Sequence, residues 1–210
     1  MEIKKNDKFT VTIEDMGEDG AGIGRVDGYI WFVKDALIGD TIEASAMKMK
    51  KNYGFARLVR VITPAKGCVE AKCPVARACG GCQLQAVSYE EQKVFKEKKL
   101  RGHLERIGGF RDLPMEPMIG MDEPYHYRNK AQFPVGRNKE GRIITGFYAG
   151  RTHAIIENRD CALGIPQNKE ILDIVIAHME KYGIAPYDEM TGKGLVRHIF
   201  VRYGFFTGEL

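Results

Sequence analysis

The sequence predicts an α+β protein in which a small five-stranded β-barrel (1–63) precedes a cysteine-bearing loop (64–87) and a mixed α/β central domain (88–210). Three observations support this fold class. Short apolar segments separated by Gly- and Asp-rich turns fill the first part, where no helical period occurs. Three of the five cysteines lie within ten residues of the loop. The last part combines helical periods with alternating strands.

The barrel is predicted from the spacing of its apolar residues. Phe9, Val11 and Ile13 alternate with threonines, as in a strand with one buried face. An apolar run at 29–33, a short segment at 41–44 and a final strand at 55–62 follow. Strands this short, joined by glycine-rich turns, favour a closed barrel of the oligonucleotide-binding type.

The glycines of the barrel allow a second interpretation, because Gly22-Ile-Gly24-Arg-Val-Asp-Gly28 resembles a nucleotide-binding loop. The spacing differs from G-x-G-x-x-G by one residue, and the segment that follows has the pattern of a strand rather than a helix. We therefore interpret these glycines as turn and bulge positions.

A basic stretch lies at the end of the barrel. No acidic residue occurs between Glu43 and Glu70, and the whole chain carries a net charge of +4. Basic side chains attract phosphates and aromatic rings stack on unpaired bases, so we predict that this stretch binds RNA. The candidate residues are Lys48, Lys50, Lys51, Tyr53 and Arg57. The alternative is a solvated basic hairpin that holds no ligand.

The cysteines follow the pattern C-x5-C-x2-C at Cys73, Cys79 and Cys82, and Cys161 lies far downstream. Three clustered thiols and one distant thiol are the ligands that a four-thiolate iron–sulfur cluster needs. The Gly80-Gly81 pair allows the backbone to turn tightly and to point amides at the sulfurs. Zinc remains open as the alternative metal, although only one C-x2-C pair is present. The odd count of cysteines disfavours a disulfide framework.

The central domain is predicted as a mixture of helices and strands. Ser88 is the N-cap of a first helix, which ends at a glycine pair after Ile107. The helical period predicts a packed apolar face made of Val94, Phe95, Leu100, Leu104 and Ile107. A second helix is predicted at 168–181, and strands are predicted at 125–135, 143–148, 154–157 and 195–203.

The sequence stops just after a turn at 204–208, where a returning strand has only begun. A strand and a turn normally offset their ordering entropy by pairing with the strand that returns. We therefore expect this chain to be the N-terminal piece of a longer protein.

These motifs together resemble a known family. Residues 1–63 resemble the TRAM domain, an RNA-binding barrel. The most specific match is Cys73-Pro-x4-Cys79-Gly-Gly-Cys82-Gln-Leu-Gln85, which is similar to the cluster loop of bacterial RNA (uracil-5-)-methyltransferases that carry an iron–sulfur cluster. Further matches are Tyr127-Arg128-Asn129-Lys130-Ala131-Gln132, Asp160-Cys161 and Gly194-Leu195-Val-Arg197-His198. The resemblance covers essentially the whole chain and corresponds to the N-terminal half of the 23S rRNA type.

The resemblance implies specific site residues. It makes Cys73, Cys79, Cys82 and Cys161 the ligands of a [4Fe–4S] cluster, leaves Cys68 outside the set and favours the cluster strongly over zinc. It also implies that segments of the central domain face the RNA. Their basic residues are Arg128, Lys130, Arg151, Arg197 and His198.

The resemblance further implies the activity of the whole protein. This would be a cytoplasmic monomer, not bound to a membrane, that uses S-adenosylmethionine to form 5-methyluridine in RNA, with 23S rRNA favoured over tRNA. The family carries its catalytic Cys, its Glu base and its cofactor site on a following domain. The sequence has no Pro-Pro pair, and no glycine loop opens a helix after a strand. We therefore expect no catalytic or cofactor-binding residue in this chain, and no activity from it alone.

Two alternatives come from other functional classes. The first is a stand-alone RNA-binding protein with a structural iron–sulfur or zinc site. The second is a radical S-adenosylmethionine enzyme, but those enzymes use C-x3-C-x2-C and carry a TRAM domain at the other end of the chain.

Overall fold

The computed structural model describes residues 3–210, which divide into two compact units. The first unit contains the residues up to 71 together with 83–118, and the second contains 72–82 together with 119–210. The strands and helices of the first unit are β1 (Lys8–Met16), β2 (Gly22–Val26), β3 (Tyr29–Lys34), β4 (Thr41–Met49), β5 (Tyr53–Thr63) and α1 (Tyr89–Arg106). Those of the second are β6 (Lys130–Arg137), β7 (Ile143–Tyr148), β8 (Ile155–Glu157), α2 (Asn168–Lys181) and β9 (His198–Arg202).

The first unit contains the closed five-stranded barrel that the sequence predicts, with the strand order β1-β2-β3-β5-β4. All strand pairs are antiparallel except β3 with β5, which is parallel. The predicted alternation in β1 is confirmed, since Val11 and Ile13 are buried in the barrel core beside Trp31 and Ile42. Burial of these side chains is the main stabilising contribution to the barrel.

The interpretation of these glycines as turn and bulge positions holds in part. Gly28 lies in a turn as predicted, whereas Gly22 and Gly24 lie inside strand β2, with Gly24 at the register shift between β1 and β2. A Cβ atom at Gly24 would lie 2.5 Å from the carbonyl oxygen of Thr12, so the close approach of β1 and β2 requires a glycine. The true turns carry Gly20 and Gly28, whose φ angles of +79° and +80° favour glycine.

Helix α1 begins as predicted, because the Ser88 hydroxyl accepts a hydrogen bond from the Glu91 amide at 3.4 Å. The predicted packed apolar face is wrong, since no residue of α1 is buried. Phe95 and Leu104 are half-buried, whereas Val94 and Leu100 are exposed. The apolar residues of α1 therefore do not form one buried stripe.

The second unit is a four-stranded antiparallel sheet with the order β8-β7-β6-β9. Phe133, Val135 and Ile199 of the sheet share a core with Leu172 and Ile176 of α2. The bounds of β7 and α2 agree with the prediction.

Two predicted strands are shorter than expected. The predicted strand at 125–135 begins only at Lys130, because the amides of His126 and Arg128 donate to the carbonyls of Ala162 and Leu163. The predicted strand at 195–203 is reduced to β9, because the amide of Leu195 donates to the carbonyl of Ala185 instead. Both segments pair outside the four-stranded sheet.

The two compact units divide the chain at different positions from the three predicted segments. Helix α1 falls in the unit that holds the barrel, and residues 72–82 fall in the unit that holds the four-stranded sheet. The domain boundaries at 63 and 87 stay a prediction. Among residues 3–210, no helix is both long enough and apolar enough to cross a membrane.

Candidate cysteine site and nucleic-acid interface

The second unit contains all four cysteines of the predicted ligand set. Cys73 is only 5% exposed, and the other three are half-buried. The side-chain amide of Asn158 donates to the sulfur of Cys73 at 3.6 Å, and its oxygen accepts from the backbone amide of Asp160 at 3.1 Å. Asn158 therefore links the sulfur of Cys73 to the segment that leads to Cys161. The sequence analysis did not identify Asn158, because asparagine belongs to no ligand motif.

The two glycines between Cys79 and Cys82 have different roles. A Cβ atom at Gly80 would lie 2.9 Å from the backbone of Gly150, and the Gly80 amide donates to the carbonyl of Tyr148 at 3.0 Å. Gly80 thus allows the loop to pass close to the turn after β7. The amide of Gly81 donates to the sulfur of Cys79 at 3.4 Å, which agrees with the prediction that these glycines point an amide at a sulfur.

The pKa of the Cys79 thiol is influenced by two of the other cysteines. Burial raises the pKa of Cys79, and the Gly81 amide opposes this effect. The Cys161 and Cys73 thiolates raise this pKa further, whereas the Arg128 guanidinium lowers it. Cys73, Cys79 and Cys161 are therefore within electrostatic range of one another, with a cation nearby.

The structure contains no preformed site for a single metal ion at these cysteines. Within residues 3–210, no three His, Cys, Asp or Glu side chains meet in an arrangement that could hold one ion. Cys68 is exposed in the first unit and forms an isolated backbone bridge with Val87.

The predicted RNA-binding residues of the barrel lie together around the β4–β5 hairpin. Lys48, Lys50, Lys51, Tyr53 and Arg57 are all exposed. None of the four cations forms an ion pair within the described part of the chain. By contrast, Arg60 farther along β5 is neutralised by Glu43 at 3.3 Å. The barrel thus presents uncompensated positive charge at one end of this hairpin.

Three aromatic rings lie on the outer face of the barrel beside these cations. The ring centroids of Phe32, Tyr53 and Phe55 are 5.7 Å apart in each of the three pairs. Tyr53 and Phe55 are 38% and 39% exposed, and Phe32 is half-buried. We call these three residues the aromatic triad. Tyr53 was among the predicted RNA-binding residues, and Phe55 lies in the same aromatic-bearing basic stretch of the sequence. Phe32 was not predicted, because only the parallel pairing of β3 with β5 brings it beside Phe55.

A hydroxyl from the neighbouring strand holds the hairpin turn in place. The Tyr29 hydroxyl lies 2.8 Å from the carbonyl oxygen of Lys50 and accepts from the Lys50 amide at 3.2 Å. It also contacts the carbonyl of Tyr53. Tyr29 therefore fixes both ends of the turn that precedes the aromatic triad, and the sequence analysis missed this role.

The predicted RNA-binding residues of the second unit have different surroundings. Arg128 is half-buried near the cysteines, and Arg151 lies in the turn after β7 with a φ of 62°. The ammonium group of Lys130 lies 5.3 Å from the centroid of the Phe200 ring. Arg197 is paired with Glu189 at 3.2 Å. Their roles in RNA binding stay a prediction.

His198 lies in a small aromatic and charged cluster. Its ring contacts Tyr148 edge-on, and Tyr148 stacks on His153 with centroids 5.1 Å apart. Burial lowers the pKa of His198, and the neighbouring Arg197 lowers it further. The Glu189 carboxylate accepts hydrogen bonds from both His153 and Arg197, and these bonds lower its pKa.

Comparisons with known proteins agree with this architecture. Residues 4–59 match the model of the TRAM domain. Over 208 residues the chain is 45% identical to an uncharacterized RNA methyltransferase of Halalkalibacterium halodurans, and it covers 45% of that protein. It is 41% identical to an uncharacterized RNA methyltransferase of Clostridium tetani, again with 45% of that protein covered. The chain thus spans about half the length of the curated relatives that it matches.

A solved structure has a similar fold. It is the Pyrococcus abyssi tRNA (uracil-54, C5)-methyltransferase in complex with S-adenosyl-L-homocysteine. The TM-score is 0.67 at 23% sequence identity, with 95% of this chain and 44% of that chain covered. At this identity the likeness concerns the fold.

Proposed function

We propose that this chain is the RNA-recognition half of an S-adenosylmethionine-dependent RNA (uracil-5-)-methyltransferase that forms 5-methyluridine. The carrying observation is a TRAM-matching barrel whose outer face combines unpaired cations with exposed aromatic rings. Similarity to proteins named RNA methyltransferases over 99% of the chain supports the class of enzyme. The preference for 23S rRNA over tRNA rests on the resemblance of the cysteine loop.

The chemistry divides the work between this chain and the rest of the whole protein. Methylation at C5 requires a thiolate that adds to C6 of uracil and transfer of a methyl group from S-adenosylmethionine to the resulting nucleophilic C5. A base then removes the C5 proton, and the thiolate is eliminated from C6, which restores the C5–C6 double bond. We assign the thiolate, the base and the cofactor site to the half of the whole protein outside this chain. This chain then binds and orients the RNA.

We also propose that Cys73, Cys79, Cys82 and Cys161 hold a [4Fe–4S] cluster. Four thiols are a soft ligand set that suits iron–sulfur clusters. The amide of Gly81 and the side chain of Asn158 both donate to cysteine sulfurs, as hydrogen-bond donors around a cluster do.

A cluster and a single ion make different demands on the four sulfurs. A cluster places each thiolate on a separate iron, so the sulfurs need not converge on one point as they do around zinc. The Arg128 cation near Cys79 would offset part of the negative charge of the thiolates. When bound, the cluster would join the loop at 72–82 to the segment at Cys161, which is a structural role.

The test uses the whole protein and this chain side by side. Unmodified 23S rRNA and unmodified tRNA are incubated with labelled S-adenosylmethionine, and digested nucleosides are analysed by mass spectrometry. The whole protein is expected to form 5-methyluridine in 23S rRNA, and this chain alone is expected to form none. Methyl groups on tRNA alone would overturn the preferred substrate. RNA binding without methyl transfer by the whole protein would favour the stand-alone RNA-binding protein.

A further inference from the structure

The aromatic triad exposes an apolar surface on regular strands of the barrel. In the first part of β5 the residues alternate, so that Gly54 and Ala56 lie on the core side and the rings of Tyr53 and Phe55 lie outside. In β3 the same alternation buries Trp31 and Val33 and places Phe32 outside. Tyr53 and Phe55 remain more than one-third exposed although they contact each other and Phe32. The rings are therefore a surface feature rather than part of the barrel core.

The mutual geometry of the rings leaves them available for stacking. Tyr53 stands at 84° to Phe32 and at 83° to Phe55, whereas Phe32 and Phe55 are inclined by only 33°. The triad is therefore not a closed stack of parallel rings. Edge-to-face contact also fixes the ring orientations, which lowers the entropy lost when a planar ligand binds.

Cations lie at both ends of the triad along the strands. Lys34 of β3 pairs in register with Arg57 of β5 on one side of the rings. Lys50 and Lys51 lie on the other side, in the turn that leads into Tyr53. Lys48 of β4 pairs in register with Phe55. A ligand that crosses the rings would therefore meet positive charge before and after them.

The turn that presents the triad is held before any ligand arrives. The Tyr29 hydroxyl contacts the backbone at both Lys50 and Tyr53, and the Lys50 amide donates to the Tyr53 carbonyl at 2.8 Å. A fixed turn keeps the cations of the hairpin at a constant separation from the rings. Such preorganisation increases affinity because less freedom is lost on binding.

The combination of ring faces and flanking cations selects one class of ligand. In duplex RNA the faces of the bases are covered by their neighbours, so a ring cannot stack on them. An unpaired strand offers both free base faces and a chain of phosphates. A protein partner could cover the rings, but it would need a matching acidic rim.

We propose that Phe32, Tyr53 and Phe55 form a stacking site for unpaired bases of single-stranded RNA, flanked by Lys34, Arg57, Lys50 and Lys51. This inference rests on the proposed RNA-binding function, and it specifies which form of RNA the barrel holds. The site binds with little preference for base identity, because every base has a face that can stack. The bases that it holds belong to nucleotides other than the uridine that is modified.

The test measures binding of this 210-residue chain to three probes: a short unstructured oligoribonucleotide, the same backbone without bases, and a blunt RNA duplex. The variants are Phe32→Leu, Tyr53→Leu and Phe55→Leu, alone and combined. The control is Phe110→Leu, which alters an exposed ring of the same unit outside the triad. Phe55→Tyr keeps an aromatic ring and should retain binding. Circular dichroism and the fluorescence of the buried Trp31 check that each variant is folded.

Each lost stacking contact is expected to weaken binding of the unstructured oligonucleotide by about fivefold to a hundredfold. The abasic probe should bind all variants equally, and the salt dependence of binding should not change, because no phosphate contact is lost. If the triple Leu variant binds the unstructured oligonucleotide as tightly as the parent chain does, the inference is overturned, while RNA binding by the cations remains. That result would then assign the rings to a protein partner. Equal losses on the duplex or on the abasic probe would also overturn it. If the parent chain binds no RNA at all, the proposed function fails together with the inference.

Discussion

The two candidate sites of this protein are built in different ways. The aromatic triad and its cations lie on two neighbouring strands of a closed barrel, and backbone pairing fixes their positions. The cysteine site lies in a loop without regular structure and combines residues 85 positions apart, such as Cys73 and Asn158. Its contacts include the hydrogen bond from Asn158 to Cys73, the backbone hydrogen bond from Gly80 to Tyr148 and the close approach of Gly80 to Gly150. Regular strand pairing thus sets the positions of the barrel site, whereas contacts between loop residues distant in sequence set those of the cysteine site.

The largest expected effect concerns iron content. Cys161→Ala removes the ligand that the loop cannot replace, so anaerobically purified protein should lose most of its iron, from about four atoms per chain. Iron is measured by a colorimetric assay together with the thiolate-to-iron absorption. Cys68→Ala is the matched control and should keep its iron. Equal iron content in the two variants would contradict this ligand set. Stoichiometric zinc without iron in the purified protein would favour zinc as the bound metal.

A second effect tests how the loop is held. In Gly80→Ala the new methyl group would meet the backbone of Gly150, so the free energy of unfolding should fall by about 1–3 kcal/mol. Urea unfolding followed by circular dichroism measures the change, and hydrogen exchange of the β7 amides locates it. Gly81→Ala is the control, since its Cβ would make an ordinary contact at 3.4 Å with the Cys79 sulfur. A larger loss in the Gly81 variant would contradict this account of the loop.

A third effect tests the electrostatic half of the barrel site. Charge reversal at Lys50 and Lys51 should weaken RNA binding and lower the salt slope by roughly one unit for each lost phosphate contact. Binding is measured across a salt series. Reversal of the exposed Lys139 in the second unit is the control. An unchanged slope in the hairpin variants would mean that the hairpin is basic and solvated without holding RNA.

The smallest expected effect concerns pH and the second unit. Burial lowers the pKa of His198 below its usual 6.5, with Arg197 acting in the same direction and Glu189 against it. The unfolded chain therefore binds this proton more readily than the folded one. The contribution of neutral His198 to the free energy of unfolding should be complete above pH 6.5. It should decrease as the pH drops below that value towards the lowered pKa. Thermal unfolding between neutral pH and about pH 5 measures this, and His198→Gln should show a flatter profile.

Local patterns in the sequence were sufficient for much of the fold. The alternation at Val11 and Ile13 indicated a strand of a barrel, and the period after Pro166 gave the bounds of α2. The exposed hairpin cations were also predictable, because an acid-free stretch in a strand pair has few partners to neutralise it. These features depend on residues that are close in the chain, so periodicity and turn chemistry determine them.

The features that the tertiary structure alone decided involve residues distant in sequence. Alternation indicates that Phe32 points outward, but only the parallel pairing of β3 with β5 places it beside Phe55. Pairing of the 126–128 segment with 162–164 shortens β6, and the close approach of β1 requires Gly24 within a strand. The contact of Asn158 with Cys73 likewise has no local signal. The pattern of a strand or loop fixes which face each side chain occupies, whereas the neighbour across that face depends on how the whole chain closes and packs.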